Sequence, residues 1–179
     1  LLVFVGTATV IGYRVYYLQD VLGVPVERIG DVVFTALLLS TAATLIAAPV
    51  FGRLSDRTGS RKALVAVSAG VVAASHLAIA LVGSLPAFYV VSFVAGIAVG
   101  CYVAVDLALV TDVLPGSATA GKDMGVFHLA NVLPQLLVPA VAPLVLGLGG
   151  GEAYELLFAL AAGLGLLGAL AILPVRSVR

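Results

Sequence analysis

The sequence has very few charged residues and no tryptophan. Only 10% of its 179 residues are Asp, Glu, Lys or Arg, whereas 62% are hydrophobic, and the mean hydropathy is +1.22. An ordinary soluble domain carries about 25% charged residues, so this composition excludes a typical soluble fold. Nine basic and nine acidic residues give a formal net charge of zero. That balance argues against a nucleic-acid-binding surface, so we expect no nucleic-acid partner.

Cysteine and histidine are almost as scarce. The single cysteine, Cys101, lies in an apolar run, so it can form no intrachain disulfide and no multi-cysteine metal site, and we interpret it as a packing residue. The sequence shows neither a nucleophile paired with a base nor a cluster of metal ligands. We therefore predict no enzymatic activity, no cofactor and no metal. The absence of tryptophan also removes a common platform for stacking sugar rings.

Long apolar runs make up most of the chain. A helix needs roughly 20 mostly apolar residues to cross a bilayer, and we predict six such spans, near residues 1–18, 32–52, 63–83, 87–110, 123–147 and 153–174. The short breaks between them contain glycine and proline, which are typical of turns. The sequence therefore predicts an all-α integral membrane protein with one six-helix bundle over residues 1–179. Because an apolar run is already under way at Leu1, we expect a fragment of a longer chain.

Lysine and arginine are distributed unevenly between the two sides of this predicted bundle. Assigning the breaks alternately leaves only Arg28 on one side, with Arg14 inside the first span. The other side holds seven basic residues: Arg53, Arg57, Arg61, Lys62, Lys122, Arg176 and Arg179. Because cytoplasmic loops are rich in Lys and Arg, we predict that this side and both termini are cytoplasmic. The expected location is the plasma (cytoplasmic, or cell inner) membrane, with multiple crossings.

The predicted spans differ in polarity. The third and sixth have few or no polar side chains, which suits a lipid-facing position; we interpret His76 in the third as a hydrogen-bonded packing residue. The first and fourth carry Arg14 and Asp106, and the fifth carries the polar group His128, Asn131 and Gln135. Lipid cannot satisfy such groups, so they usually face a cavity or a partner helix.

Residues 52–64, between the second and third predicted spans, read GRLSDRTGSRKAL. This segment resembles the signature loop of the major facilitator superfamily. The matching positions are Gly52, Leu54, Asp56, Arg57, Gly59, Arg61 and Leu64; Ser60 departs from the pattern, which usually has a base there. In physical terms, Gly52 would let a helix end pack closely and Gly59 would permit a tight turn, while the bases hold the loop in the cytoplasm. A basic loop that only fixes topology is the alternative, and it leaves Asp56 unexplained.

The resemblance implies one six-helix half of a twelve-helix transporter. The signature loop is commonest in the N-terminal half, but residues 106–115 and 122–135 look like the tenth and eleventh spans of bacterial sugar transporters close to the glycoside and sucrose cation symporters. The Tyr16–Asp20 end of the first span also fits their seventh span. We therefore expect the C-terminal half, with the other six-helix half of the same transporter as a partner.

The resemblance also implies that Asp56 clasps the cytoplasmic ends of neighbouring helices when the inner gate is closed. Counting the helical rise from the outer end of the fourth span places Asp106 about 28 Å down, where it can reach Arg57 or Arg61. The expected cytoplasmic gate comprises Gly52, Asp56, Arg57, Gly59, Arg61, Asp106 and Asp112. Proton carriage by Asp106 is the alternative.

The fifth span carries the expected solute site. His128, Asn131 and Gln135 are three and four residues apart and so share one face, and Gln135 lies roughly 18 Å from the cytoplasmic start of the span, near the bilayer midplane. The predicted substrate-binding residues are Gln135, Asn131, His128, Arg14 and Tyr17. The alternatives are hydrogen bonds between helices for the fifth span, and an interfacial tyrosine belt with a snorkelling arginine for the first.

Together these features favour secondary active transport by alternating access. We expect a sugar or related polar solute as substrate and protons as the driving ion, with the lipid bilayer around the carrier. Drug or metabolite efflux is the alternative within transport. A non-transporting membrane scaffold or sensor is the alternative from another class.

Overall fold

The computed structural model of the chain describes residues 1–113, 116–148 and 153–172, and within these ranges it contains helices and no strand. The helices are α1 (Leu2–Asp20), α2 (Val26–Thr58), α3 (Arg61–Leu81), α4 (Leu85–Val113), α5 (Gly116–Leu148) and α6 (Tyr154–Ala171). Each predicted span falls on one of them, which confirms the all-α fold. At 1.5 Å per residue, the 33-residue helices α2 and α5 are about 50 Å long, so they extend beyond the hydrocarbon core.

Five of the six helices are long and apolar enough to cross a membrane. These five segments are Val26–Thr58, Arg61–Leu81, Leu85–Ala108, His128–Leu148 and Tyr154–Ala171. The first helix does not reach the same hydropathy, because Arg14, three tyrosines and Gln19 occupy its second half. Over a membrane-crossing length it is thus less apolar than those five segments, as expected of a helix that lines a cavity.

The segment that resembles the signature loop is mostly helical. α2 continues to Thr58, and only Gly59 and Ser60 separate it from α3. Gly59 has φ 63°, in the left-handed region that favours glycine, and its N–H donates to the Ser55 carbonyl at 2.9 Å. The predicted packing role of Gly52 is wrong, because it lies inside α2 and a Cβ there would meet nothing within 4 Å. One glycine costs a helix only about 1 kcal/mol, too little to end it.

The helices pack in a pattern that repeats after three helices. α1 packs on α5 and α6, and the corresponding helix α4 packs on α2 and α3. Because three spans reverse the direction of the chain, the second set of three helices is inverted relative to the first. We refer to the two ends of the bundle as the Gly59 end, where the α2–α3 turn lies, and the Gly23 end, where the α1–α2 turn lies.

The contact between α2 and α4 is very close. A Cβ on Gly96 would lie 2.3 Å from the carbonyl oxygen of Ser40, and one on Gly100 would lie 2.7 Å from that of Thr44. The Thr44 hydroxyl donates to the Gly96 carbonyl at 2.8 Å. Small residues allow helix backbones to approach in this way. By contrast, the apolar segment of α5 is only 17% buried.

The third helix is more buried than its composition suggested. Half of its apolar segment is covered, because α3 packs against α1, α4 and α6. It keeps one exposed stripe of large apolar side chains, which suits contact with lipid: Val67, Val71, Leu77 and Leu81. The prediction of a hydrogen-bonded His76 is wrong. The side chain is 3% exposed, but its Nδ1 has no hydrogen-bond partner in the described part of the chain.

Candidate functional site

A cavity of about 690 Å³ lies between α1 and α5. Its polar side chains are Asn131 and Gln135 from α5 and Thr7, Tyr13 and Tyr16 from α1. The rest of the lining is Phe4, Ala8, Ile11, Gly12, Val138 and Pro139. No Lys, Arg, Asp or Glu belongs to the lining that the structure describes.

The spacing on α5 explains why the two amides meet at this cavity. Asn131 and Gln135 are four residues apart, so their side chains lie on one face, one turn above the other. Val138 and Pro139 continue that face by one more turn. The structure thus brings together two of the five predicted substrate-binding residues on one face of α5, where they line the cavity together with α1.

Three prolines interrupt the hydrogen-bond ladder of α5. Pro134, Pro139 and Pro143 all lie inside the helix, and each lacks the N–H that would pair with the carbonyl four residues earlier. The carbonyls of Ala130, Gln135 and Pro139 therefore have no helical partner. At membrane depth such groups are tolerated where they border protein or a cavity, and Pro139 lines the cavity itself.

Tyr17 does not belong to the cavity, which corrects its predicted role. Its side chain is completely buried, its hydroxyl donates to the Val82 carbonyl at 2.7 Å, and its ring packs on Phe158 and Tyr154. Nearby, the Tyr154 hydroxyl donates to the Asp20 carboxylate at 2.5 Å. Tyr17 therefore joins α1 to the end of α3 and to α6. The tyrosines that face the cavity are Tyr13 and Tyr16.

Arg14 and His128 lie outside the described lining of the cavity. Arg14 is half-buried on α1 between two lining positions, and His128 is exposed on α5 one turn before Asn131. The sequence does not distinguish Tyr16 from Tyr17. A helical period of 3.6 residues, counted from Ala8 and Gly12, would have favoured Tyr16, which lies eight and four residues further on.

The Gly59 end holds an ion pair. Arg61 Nη2 lies 3.2 Å from Asp56 Oδ1, and Arg61 Nη1 donates to the Ala108 carbonyl at 3.3 Å. One guanidinium thus connects the end of α2 and the start of α3 to α4. The carbonyl of Ala108 was not anticipated, since a backbone acceptor has no signal in the sequence.

The other expected gate residues have different surroundings. Asp106 is half-buried on α4. No ion pair joins it to Arg57 or Arg61 among the described residues, which corrects the expected cluster: Arg61 reaches the carbonyl two residues further along α4, and Arg57 is exposed. The side chain of Asp112 lies outside the part of the chain that the structure describes.

The family of the chain follows from comparison with known proteins. The family model of the Major Facilitator Superfamily matches residues 1–179, which is the whole chain. The chain belongs to the Major Facilitator Superfamily. A comparison with curated proteins gave no significant match.

Membership in the Major Facilitator Superfamily has direct consequences for function. The superfamily consists of multi-pass membrane transporters rather than enzymes, so the chain is of the secondary-transporter type, lies in a lipid bilayer and serves a small solute. The three-helix repeat in the fold agrees with the inverted repeats inside each half of these transporters.

Proposed function

We propose that this chain is one six-helix half of an alternating-access carrier for a small, uncharged, hydroxyl-bearing solute, with a sugar as the leading substrate. The main support is the chemistry of the α1–α5 cavity, where two carboxamides and two phenols face the space and the described lining carries no charge. A carboxamide offers donors and an acceptor, and a phenol offers one of each. This set matches hydroxyl groups, whereas an ionic solute at membrane depth needs a counter-charge.

The size of the cavity supports a small-molecule site. Pockets for small ligands have volumes of about 300–1,000 Å³, and the cavity of about 690 Å³ falls in that range using α1 and α5 alone. The other half of the carrier would cover the open side. The segments of α2 and α5 are the least buried of the five apolar helices, at 22% and 17%, which suits a surface that meets a second bundle.

Proton coupling is part of the same proposal. Asp106 supports it, because a carboxyl group that is half-buried in a membrane helix usually has a functional role. Asp106 forms no ion pair with another side chain in the described part of the chain.

We also propose that the Gly59 end is cytoplasmic, together with both ends of this segment, since the basic residues Arg53, Arg57, Arg61 and Lys62 cluster there. The host membrane is then the plasma membrane.

Efflux of a drug or metabolite is the second candidate. Apolar groups make up much of the cavity wall, including the ring of Phe4 and the side chains of Ile11 and Val138. These apolar groups would suit a solute with an apolar face.

Transport assays on the full-length protein in liposomes separate the two candidates. The panel contains labelled sugars, uncharged polar metabolites and lipophilic compounds, each tested with and without a pH gradient, and protein-free liposomes are the control. We expect uptake of a sugar or similar solute that increases with the gradient. Transport of lipophilic compounds alone would favour efflux, and absence of both transport and binding for the whole panel would contradict the proposal.

A further inference from the structure

A second cavity lies on the other side of the contact between α1 and α5. It is a crevice of about 340 Å³ between α1, α5 and α6, and we refer to it as the α1–α5–α6 crevice. Its lining is apolar apart from Thr9, whose hydroxyl already donates to the Val5 carbonyl at 2.8 Å. The crevice therefore presents no unused hydrogen-bond donor from the residues that the structure describes.

The crevice lies at the depth of the hydrocarbon core. On α5 it extends from Leu137 to Val145, nine residues whose first and last Cα atoms are about 12 Å apart along the helix. This stretch falls inside the apolar segment His128–Leu148, which is long enough to cross a membrane. Apolar cavities exclude water, and an empty one loses dispersion contacts along its whole wall. The surrounding bilayer contains apolar chains that can fill it.

The shape of the crevice distinguishes an extended chain from a helix. A helix with its side chains is about 10–12 Å across, so a 12 Å length of helix would occupy roughly 900–1,400 Å³. The crevice has a volume of about 340 Å³, so it cannot enclose a helix of the other half. A single hydrocarbon chain is narrow enough to fit.

The crevice and the solute cavity have one lining residue in common. Val138 lines each of them and is only 7% exposed. On the α1 side, Val5 and Thr9 face the crevice while Ala8 and Gly12 face the solute cavity. Anything that fills the crevice thus packs against the back of the solute site.

We propose that the α1–α5–α6 crevice binds one acyl chain of a membrane lipid. The chain fills the space that the loosely packed α5 leaves beside α1 and α6, and it supports Val138 from the side opposite to the solute. The crevice is thereby a lipid site that adjoins the transport site, and its occupancy sets the spacing between α1 and α5.

Photo-cross-linking tests this proposal on the full-length protein in liposomes. The probe is a phosphatidylcholine with a diazirine on one acyl chain, and the labelled residues are mapped by mass spectrometry. We expect adducts on Val141, Leu160 and Leu164 in excess of those on Val67 and Leu167, which are exposed apolar residues outside the crevice lining. Equal labelling of both groups would show bulk lipid only and overturn the proposal. Cross-links from a diazirine amino acid at Leu160 to the other half of the carrier would also overturn the proposal.

Two matched substitutions complete the test. Val141→Phe adds bulk to the wall and should reduce crevice adducts roughly fivefold, in line with the cost of overfilling. Leu144→Phe, on the same helix but outside the lining, should leave them unchanged. If Val141→Phe does not fold, Leu160→Ala provides the test. This substitution widens the crevice and should increase the number of adducts. An unchanged number of adducts would contradict the proposed lipid site. None of these readouts depends on solute, so failure here is distinct from failure of the transport proposal.

Discussion

Gly96 in α4 and Ser40 in α2 touch through their backbones. A Cβ on Gly96 would lie 2.3 Å from the Ser40 carbonyl oxygen and 2.7 Å from the Ser40 Cα. These are backbone atoms, so a side chain at Gly96 cannot be accommodated by turning a neighbouring rotamer. The two helices would have to separate, and the hydrogen bond from Thr44 to the Gly96 carbonyl would lengthen with them.

We therefore expect Gly96→Ala to destabilise the protein by about 1–3 kcal/mol, the usual cost of overpacking. The control is Gly163→Ala in α6, where a Cβ would meet nothing within 4 Å. That change should be neutral or stabilising by up to about 1 kcal/mol, because alanine favours helices. Unfolding of the full-length protein in detergent measures both. Equal stability of the two variants would show that α2 and α4 are further apart than described.

Substitutions at the Gly59 end test the proposed gate. The Asp56 side chain is 67% exposed, so its ion pair is worth about 0–1 kcal/mol, and Asp56→Asn should change the ratio of inward- to outward-open carrier at most about fivefold. Arg61 is 22% exposed and also binds the Ala108 carbonyl. Arg61→Gln should shift the ratio by roughly tenfold or more toward the inward-open state, since a charge-assisted bond is lost.

Labelling of a cysteine in the cavity, Ile11→Cys in a Cys101→Ala background, reports the open state from the cytoplasmic side. Arg53→Gln is the matched control, because Arg53 is exposed on α2. The gate would be excluded if the Arg61 and Arg53 variants were labelled at the same rate.

Two neighbouring tyrosines should respond differently to loss of the hydroxyl. Tyr17→Phe leaves the Val82 carbonyl without its partner and should cost roughly 1–3 kcal/mol of stability. Tyr16 is 54% exposed and lines the cavity, so Tyr16→Phe should leave stability within about 0.5 kcal/mol and weaken solute binding. Thermal unfolding and equilibrium binding of the identified solute, measured on both variants, check this. A larger effect of Tyr17→Phe on affinity than on stability would restore Tyr17 to the solute site.

Gln135 provides the direct test of the cavity as the solute site. Gln135→Leu keeps most of the bulk and removes the polar group, so we expect affinity to fall by about 1–3 kcal/mol, roughly 5- to 150-fold. Gln19→Leu is the same substitution outside the described lining and should have little effect. Equilibrium binding in detergent measures both. Equal affinities for the wild type and Gln135→Leu would assign the polar face of α5 to helix packing.

The orientation of the bundle is tested by impermeant thiol reagents. In a Cys101→Ala background, Ser60→Cys at the Gly59 end should be protected in intact cells, whereas Ser84→Cys at the Gly23 end should be labelled. Both positions are exposed in turns, so a difference in labelling reflects the side of the membrane. Labelling of Ser60→Cys in intact cells would reverse the proposed topology and place the gate outside.

Local properties of the chain predict the fold well. Apolar runs of membrane length locate the six helices, because lipid imposes one simple rule on their composition. The position of Gly59 at the turn is also predictable, since only glycine adopts its φ of 63° readily. The end of α2 is harder to predict from the sequence. Residues 52–58 are mostly polar, but polar side chains alone do not end a helix whose backbone hydrogen bonds can still form.

The site is predictable only where it depends on one helix. Asn131 and Gln135 share a face of α5 by spacing alone. Tyr17 could not be assigned from its neighbours in sequence, because its partner Val82 is 65 residues away. Similarly, the helical rise placed Asp106 at the correct end of α4, but the choice by Arg61 of a backbone carbonyl over that carboxylate depends on the approach of α3 to α4.

The three prolines of α5 have a mechanical consequence. Because each of these prolines removes one backbone hydrogen bond from the helix, this stretch resists bending less than α4, which contains no proline between Ala87 and Val113. A force that rocks the bundle will therefore deform α5 first, and the curvature will concentrate between residues 130 and 143. The flexible section of the carrier would then be the wall of its solute cavity, while α4, which has no such interruption after Pro86, bends less.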